Sequence, residues 1–151
     1  MRPFFFDTSA LAKRYLVEAG SDRVKVLIQN TTEHLVIISE LTLVEMFSLL
    51  ARRQKENDIQ PKAAAILREA FLSHVHFEYV VVAVNSRLLA DSRDLVTKHP
   101  GIRTLDAIQV TSAVYARDVF QQPVTFVSSD IRPLQIAADE GFITLDPNRE
   151  R

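Results

Sequence analysis

Pro3-Phe4-Phe5-Phe6-Asp7-Thr8-Ser9-Ala10-Leu11 decides how the rest of the chain reads. Three consecutive aromatic residues without polar alternation predict a strand covered on both faces, as in a parallel sheet. Asp7 then stands at the carboxyl end of that strand. Thr8 and Ser9 are residue types that cap helices, and a helix is expected from Ala10 to about Val17. In open α/β sheets, ligands bind in the crevice beyond the carboxyl ends of the strands. A carboxylate is therefore expected where function sits. The competing explanation is that Asp7 is a helix cap and nothing more.

Beyond this stretch, strands and helices alternate. Ser21 to about Gln29 reads as a helix, Leu35-Val36-Ile37-Ile38 as a second strand, and Ser39 as the cap of a long helix ending near Lys55. Asn57-Asp58-Ile59-Gln60-Pro61 breaks that helix, and Pro61 suits the start of the next, about Lys62 to His74. Tyr79 to Val84 is the third strand, followed by a helix begun at Asn85 and ended before Pro100-Gly101. Thr104 is expected to cap a helix from Leu105 to about Asp118, and Val124–Val127 is the fourth strand. A short helix from Ile131 to Glu140 and a fifth strand, Phe142–Leu145, complete the pattern. The alternation predicts an α/β fold, a parallel sheet with helices on both faces, over residues 1–151 as a single domain. The helix pair between the second and third strands either packs on the sheet or serves as an arm for homodimer or partner contact.

The chain is 47% hydrophobic and 25% charged, with net charge −1 and no cysteine. Near neutrality, a nucleic-acid partner must be held by a local patch. The absence of cysteine excludes disulfides, thiolate catalysis and cysteine-ligated zinc. No apolar run is long enough to span a membrane, and the opening residues do not form a signal peptide. A cytoplasmic protein is expected.

Asp7, Glu45, Asp106 and Asp130 each fall just after a strand or near a helix start, the end that faces the crevice. Helix starts favour acids through the macrodipole, but Val44, Met46 and Phe47 flank Glu45, and Leu105, Ala107 and Ile108 flank Asp106. Solvated caps keep more polar company. If these acids converge, two unit charges about 4 Å apart repel by roughly 4 kcal/mol at an effective dielectric of about 20. Protons or a cation must then offset the repulsion. Carboxylates without histidine or cysteine are hard oxygen ligands suited to Mg²⁺ or Mn²⁺, and such sites act on phosphates.

Asp7-Thr8-Ser9-Ala10-Leu11, Leu43-Val44-Glu45, Arg103-Thr104-Leu105-Asp106-Ala107-Ile108-Gln109 and Ser128-Ser129-Asp130 resemble the PIN domain. They resemble most its bacterial VapC branch, the toxins of toxin–antitoxin pairs, and the resemblance runs along essentially the whole chain. It implies a PIN-like three-layer sandwich with strand order 3-2-1-4-5, and a metal-dependent endoribonuclease using Mg²⁺ or Mn²⁺. Asp7, Glu45, Asp106 and Asp130 occupy the family's acidic positions, as catalytic and metal-binding residues. Ser9 and Ser128 match its hydroxyl positions and would orient carboxylates. The partners implied are an RNA substrate and a VapB-like antitoxin. A non-catalytic PIN-like module that binds RNA or protein is the alternative.

Lys13 and Arg103 lie beside the motifs and are candidate RNA contacts. Arg52, Arg53 and Lys55 end a helix, where cations are favoured in any case. Glu40 reads as a first-turn acid, and Asp91 and Asp94 as a solvated face. His34, His74, His76 and His99 show no metal-ligand spacing. An aspartyl-nucleophile phosphatase would need a second Asp two positions after Asp7, where this chain has Ser9.

Overall fold

The computed structural model describes residues 1–149. Its elements are β1 (Arg2–Phe6), α1 (Thr8–Leu11), a 3-10 turn (Ala12–Arg14), α2 (Ser21–Gln29), β2 (His34–Ser39), α3 (Leu41–Lys55) and α4 (Pro61–Phe77). After them come β3 (Val80–Val82), α5 (Ser86–Lys98), α6 (Thr104–Phe120), β4 (Thr125–Val127), α7 (Ile131–Asp139) and β5 (Ile143–Leu145). The strands form one parallel sheet in the order β3-β2-β1-β4-β5.

The Phe run explains why β1 is central. Successive side chains alternate across a strand. Phe4 and Phe6 enter an apolar layer with Ile38, Met46, Leu50 and Phe71, while Phe5 enters the opposite layer with Ile37, Val110 and Phe126. Helices α1–α4 cover the first face and α5–α7 the second, giving three layers. Each buried Phe contributes about 1.5–3 kcal/mol of burial free energy, available on both faces only to an interior strand. The edge strands show the contrast: β3 is half-buried along its length, and Ile143 and Thr144 of β5 are exposed. Phe71 of α4 is fully buried among β1 and α3 side chains, so the helix pair packs on the sheet.

Three helix starts differ from expectation. Asp7 itself caps α1, its Oδ1 accepting from the Ala10 N–H at 3.0 Å, so Thr8 and Ser9 lie inside the first turn. Helix α1 ends at Leu11 and tightens into the 3-10 turn. Thr104 is the first helical residue of α6, with Arg103 in the extended cap position. Ser39 is the last residue of β2; its Oγ accepts from the Leu41 N–H at 3.2 Å, and Glu40 holds the cap position of α3.

The order places β1 between β2 and β4, with Phe6 in register with Val127. The chain reverses its direction of winding at this point, and a crevice opens beyond the two strand ends. The Asp7 N–H donates to the Val127 carbonyl at 3.1 Å, so Asp7 and the segment after β4 emerge side by side. Among the described residues no helix is long and apolar enough to cross a membrane.

Candidate active site

Asp7 is buried and its carboxylate is held from three directions. Oδ1 accepts from Ser9 Oγ at 2.7 Å and from the Ala10 N–H; Oδ2 accepts from Ser128 Oγ at 2.5 Å. The two hydroxyls also accept backbone N–H groups, Ser9 from Ser129 at 3.0 Å and Ser128 from Asp130 at 3.1 Å. Each serine has one proton, and each gives it to Asp7. The loop after β4 is thereby tied to the carboxylate after β1. Burial pushes the Asp7 carboxyl up to about 7, against the hydrogen bonds that favour its ionised form; Asp130 adds a smaller upward push. Asp7 both caps α1 and lines the cavity at the strand ends, one oxygen serving the helix and the other facing Ser128.

Glu45 is held by a second network. Its Oε1 accepts from Thr8 Oγ1 at 2.8 Å and from Gln109 Nε2 at 2.7 Å. Gln109 Nε2 also lies 3.0 Å from Thr42 Oγ1, which is 3.0 Å from Thr8 Oγ1. With Thr8 donating to Glu45, Thr42 donates to Thr8 and Gln109 donates to Thr42 and Glu45. All these protons run toward Glu45 Oε1, which must act as an acceptor. Oε2 has no protein partner among the described residues. The network joins α1, α3 and α6 through a buried glutamine whose own Oε1 is left without a hydrogen bond.

Asp106 is half-buried in the first turn of α6, and its carboxyl is raised above the usual range by burial first, then by Asp130 and Glu45; Arg103 and Arg132 oppose the shift. Asp130 is exposed at the cap position of α7, yet its side chain caps no backbone N–H. Asp7, Glu45, Asp106 and Asp130 all line one cavity, together with Ser9, Arg52 and Arg103. The structure thus brings the four acids to one place at the strand ends.

Ser9 and Ser128 both orient a carboxylate, and it is that of Asp7. Arg103 is exposed on the cavity wall. Lys13 requires correction as an RNA contact. It is buried, with Nζ donating to the Ala19 carbonyl at 2.6 Å and to Glu18 at 3.2 Å, so its charge is spent inside the fold. Thr8, Thr42 and Gln109 were not singled out for the site from the sequence, and Arg52, set aside there as a helix-end cation, lines the cavity. A signal existed for two of them: Thr42 and Gln109 stand three residues from Glu45 and Asp106, on the same helix faces, as polar residues in apolar company.

Among the described residues no three His, Asp or Glu side chains are gathered closely enough to enclose an ion by themselves. The donor set nevertheless fits a divalent cation held partly through water. It offers only hard carboxylate oxygens, and Mg²⁺ binds through one or two carboxylates while keeping several waters. The raised carboxyls of Asp7 and Asp106 mark the place where a positive charge would relieve burial and mutual repulsion.

A parallel sheet wound to both sides with acids at its switch point describes a class of α/β proteins with an acidic crevice. Within that class the chain matches the PIN domain over residues 4–138, and it belongs to that family. No curated protein matches it. Among solved structures it is similar to Mycobacterium tuberculosis VapC20, a sarcin-ricin loop cleaving toxin, at 20% identity and TM-score 0.68, covering 95% of this chain and 99% of that one. FitAcB from Neisseria gonorrhoeae shares 14% identity with TM-score 0.63, covering 95% and 97%. VapBC2 from Rickettsia felis, bound to a DNA fragment from its promoter, shares 13% with TM-score 0.62, covering 95% and 98%.

Proposed function

We propose that residues 1–151 act as one PIN domain, a Mg²⁺- or Mn²⁺-dependent endoribonuclease that is the toxin of a VapBC-type pair. The observation that carries this reading is the joining of Asp7, Glu45, Asp106 and Asp130 on one cavity at the ends of β1 and β4. Asp7, Asp106 and Asp130 would hold the ion. When bound, a divalent cation supplies Lewis-acid stabilisation of charge developing on phosphorus and lowers the pKa of water. Glu45, with Oε1 held by Thr8 and Gln109, presents Oε2 to orient the attacking water and take its proton. Ser9 and Ser128 aim Asp7 and favour its ionised form against the effect of burial.

RNA as substrate is supported by the likeness to a toxin described as cleaving the sarcin-ricin loop. An antitoxin partner is supported by the VapBC and FitAB neighbours. A homodimer and a cytoplasmic location complete the reading. Incubation of a total RNA pool with the protein tests it: cleavage is expected with Mn²⁺ and absent with chelator. Cleavage unchanged in excess chelator would reject the metal mechanism. Production of the chain alone should arrest bacterial growth, and co-production of its neighbouring gene product should restore it.

A further inference from the structure

We propose that Arg52, from α3, and Arg103, from the start of α6, form a phosphate grip on the cavity rim, each holding a phosphate of single-stranded RNA adjacent to the one presented to the acids. The inference rests on the nuclease reading and adds the residues that hold the strand. Glu45, Ser48, Leu49 and Arg52 all line the cavity, spaced as one face of α3. Seven residues of helix carry Arg52 about 10 Å along the axis from Glu45, so it meets a different phosphate from the one the acids face. Arg103 lines the same cavity from a different helix, at the cap position of α6, three residues before Asp106 and close enough to act on its charge.

Both arginines are exposed, and neither makes an ion pair among the described residues. Their neighbours behave differently: Arg53 pairs with Glu18 and Asp58, and Arg14 with Glu78. A guanidinium matches phosphate with two parallel N–H bonds. The acids line the same cavity as the two arginines and draw an anion only together with a cation. RNA, with a charge at every unit, can meet all three positions at once. Asp7 is buried at the cavity, a depth that a single strand reaches more readily than a duplex. Among the described residues no aromatic side chain lines the cavity, so base stacking cannot carry the affinity there. Binding at the rim must come from charge, and must therefore weaken with salt.

The test is fluorescence anisotropy of a labelled single-stranded oligoribonucleotide across a salt series, with Ca²⁺ in place of Mn²⁺ to slow hydrolysis. For single strands the slope of log affinity against log salt becomes shallower by about 0.7 for each phosphate no longer neutralised by the protein. Arg52→Gln and Arg103→Gln should each flatten the slope by that amount, and the double variant by about 1.4. Arg52→Lys, which keeps the charge, and Lys62→Gln, remote from the cavity, should keep the wild-type slope. Wild-type binding with an unchanged slope in the double variant would overturn the grip and leave the nuclease reading standing. Tighter arginine-dependent binding of a polyglutamate peptide than of RNA would reassign the two residues to a protein partner. Absence of RNA binding by the wild type would overturn both readings.

Discussion

Replacing Asp7 by Asn should make the metal-free protein more stable and the nuclease inactive. The carboxyl is raised from 3.8 to about 7 by burial. Between those two pH values the folded state keeps a proton that the unfolded chain has released. Wild-type stability therefore falls as pH rises through that window and levels off above it. At pH 8 the cost of the buried carboxylate is about 4 kcal/mol. Asn carries no such cost, and it can still accept from Ser9 and the Ala10 N–H as the cap. Its amide would face Ser128 Oγ, whose proton then loses its acceptor, a cost of about 1 kcal/mol. The net gain at pH 8 is about 3 kcal/mol, or roughly 6–12 °C in Tm for a chain of this size. The gain should shrink steadily toward pH 4. Mn²⁺ should raise the wild-type Tm, because it binds the folded state only, and should raise that of Asp7→Asn less. Thermal melting of both proteins in chelator from pH 4 to 8, beside an RNA cleavage assay, measures all of this. A pH-independent difference, or a variant less stable at pH 8, would refute the view of Asp7 as a strained carboxylate awaiting a cation.

Asp106→Asn should leave the metal-free fold equally or more stable, since Asp130 and Glu45 repel its charge, and should reduce both the Mn²⁺-induced Tm shift and cleavage; undiminished values of both would remove Asp106 from the site. Gln109→Leu removes a donor to Glu45 Oε1 and a buried acceptor that has no partner. Kinetics should show cleavage falling by roughly tenfold or more, the equivalent of one hydrogen bond to a charged group at about 1.5–3 kcal/mol, with little change in denaturant midpoint. Lys13→Met should destabilise the fold by about 1–3 kcal/mol through loss of its internal hydrogen bonds, while RNA affinity per folded molecule stays at the wild-type value; a drop in affinity at unchanged stability would return Lys13 to the RNA interface.

Local chemistry made most of the architecture readable. Consecutive Phe residues, β-branched runs and proline breaks act over a few residues, and their order alone predicts a parallel α/β sheet with Asp7 at a strand end. The same locality made helix starts unreliable: Thr8, Ser9 and Thr104 have the chemistry of caps, but Asp7 and the extended Arg103 hold the cap positions. Packing around the buried Phe71 decided how the α3–α4 pair lies, which periodicity left open.

The acids show the same division. Sequence by itself singled out Asp7, Glu45, Asp106 and Asp130 as a set: each falls just after a strand or near a helix start, apolar residues flank Glu45 and Asp106, and the four together resemble the acidic positions of the PIN domain. Tertiary structure alone decided what holds them. Thr8 and Gln109 reach Glu45 across separations of 37 and 64 residues, and Ser128 reaches Asp7 across 121. Tertiary structure also separated two cations that look alike in the chain: Lys13, beside the first motif, is turned inward to Ala19 and Glu18, whereas Arg52, at a helix end, faces the cavity. A side chain's type sets what it can bind; where the backbone folds around it sets whether anything is left to be bound.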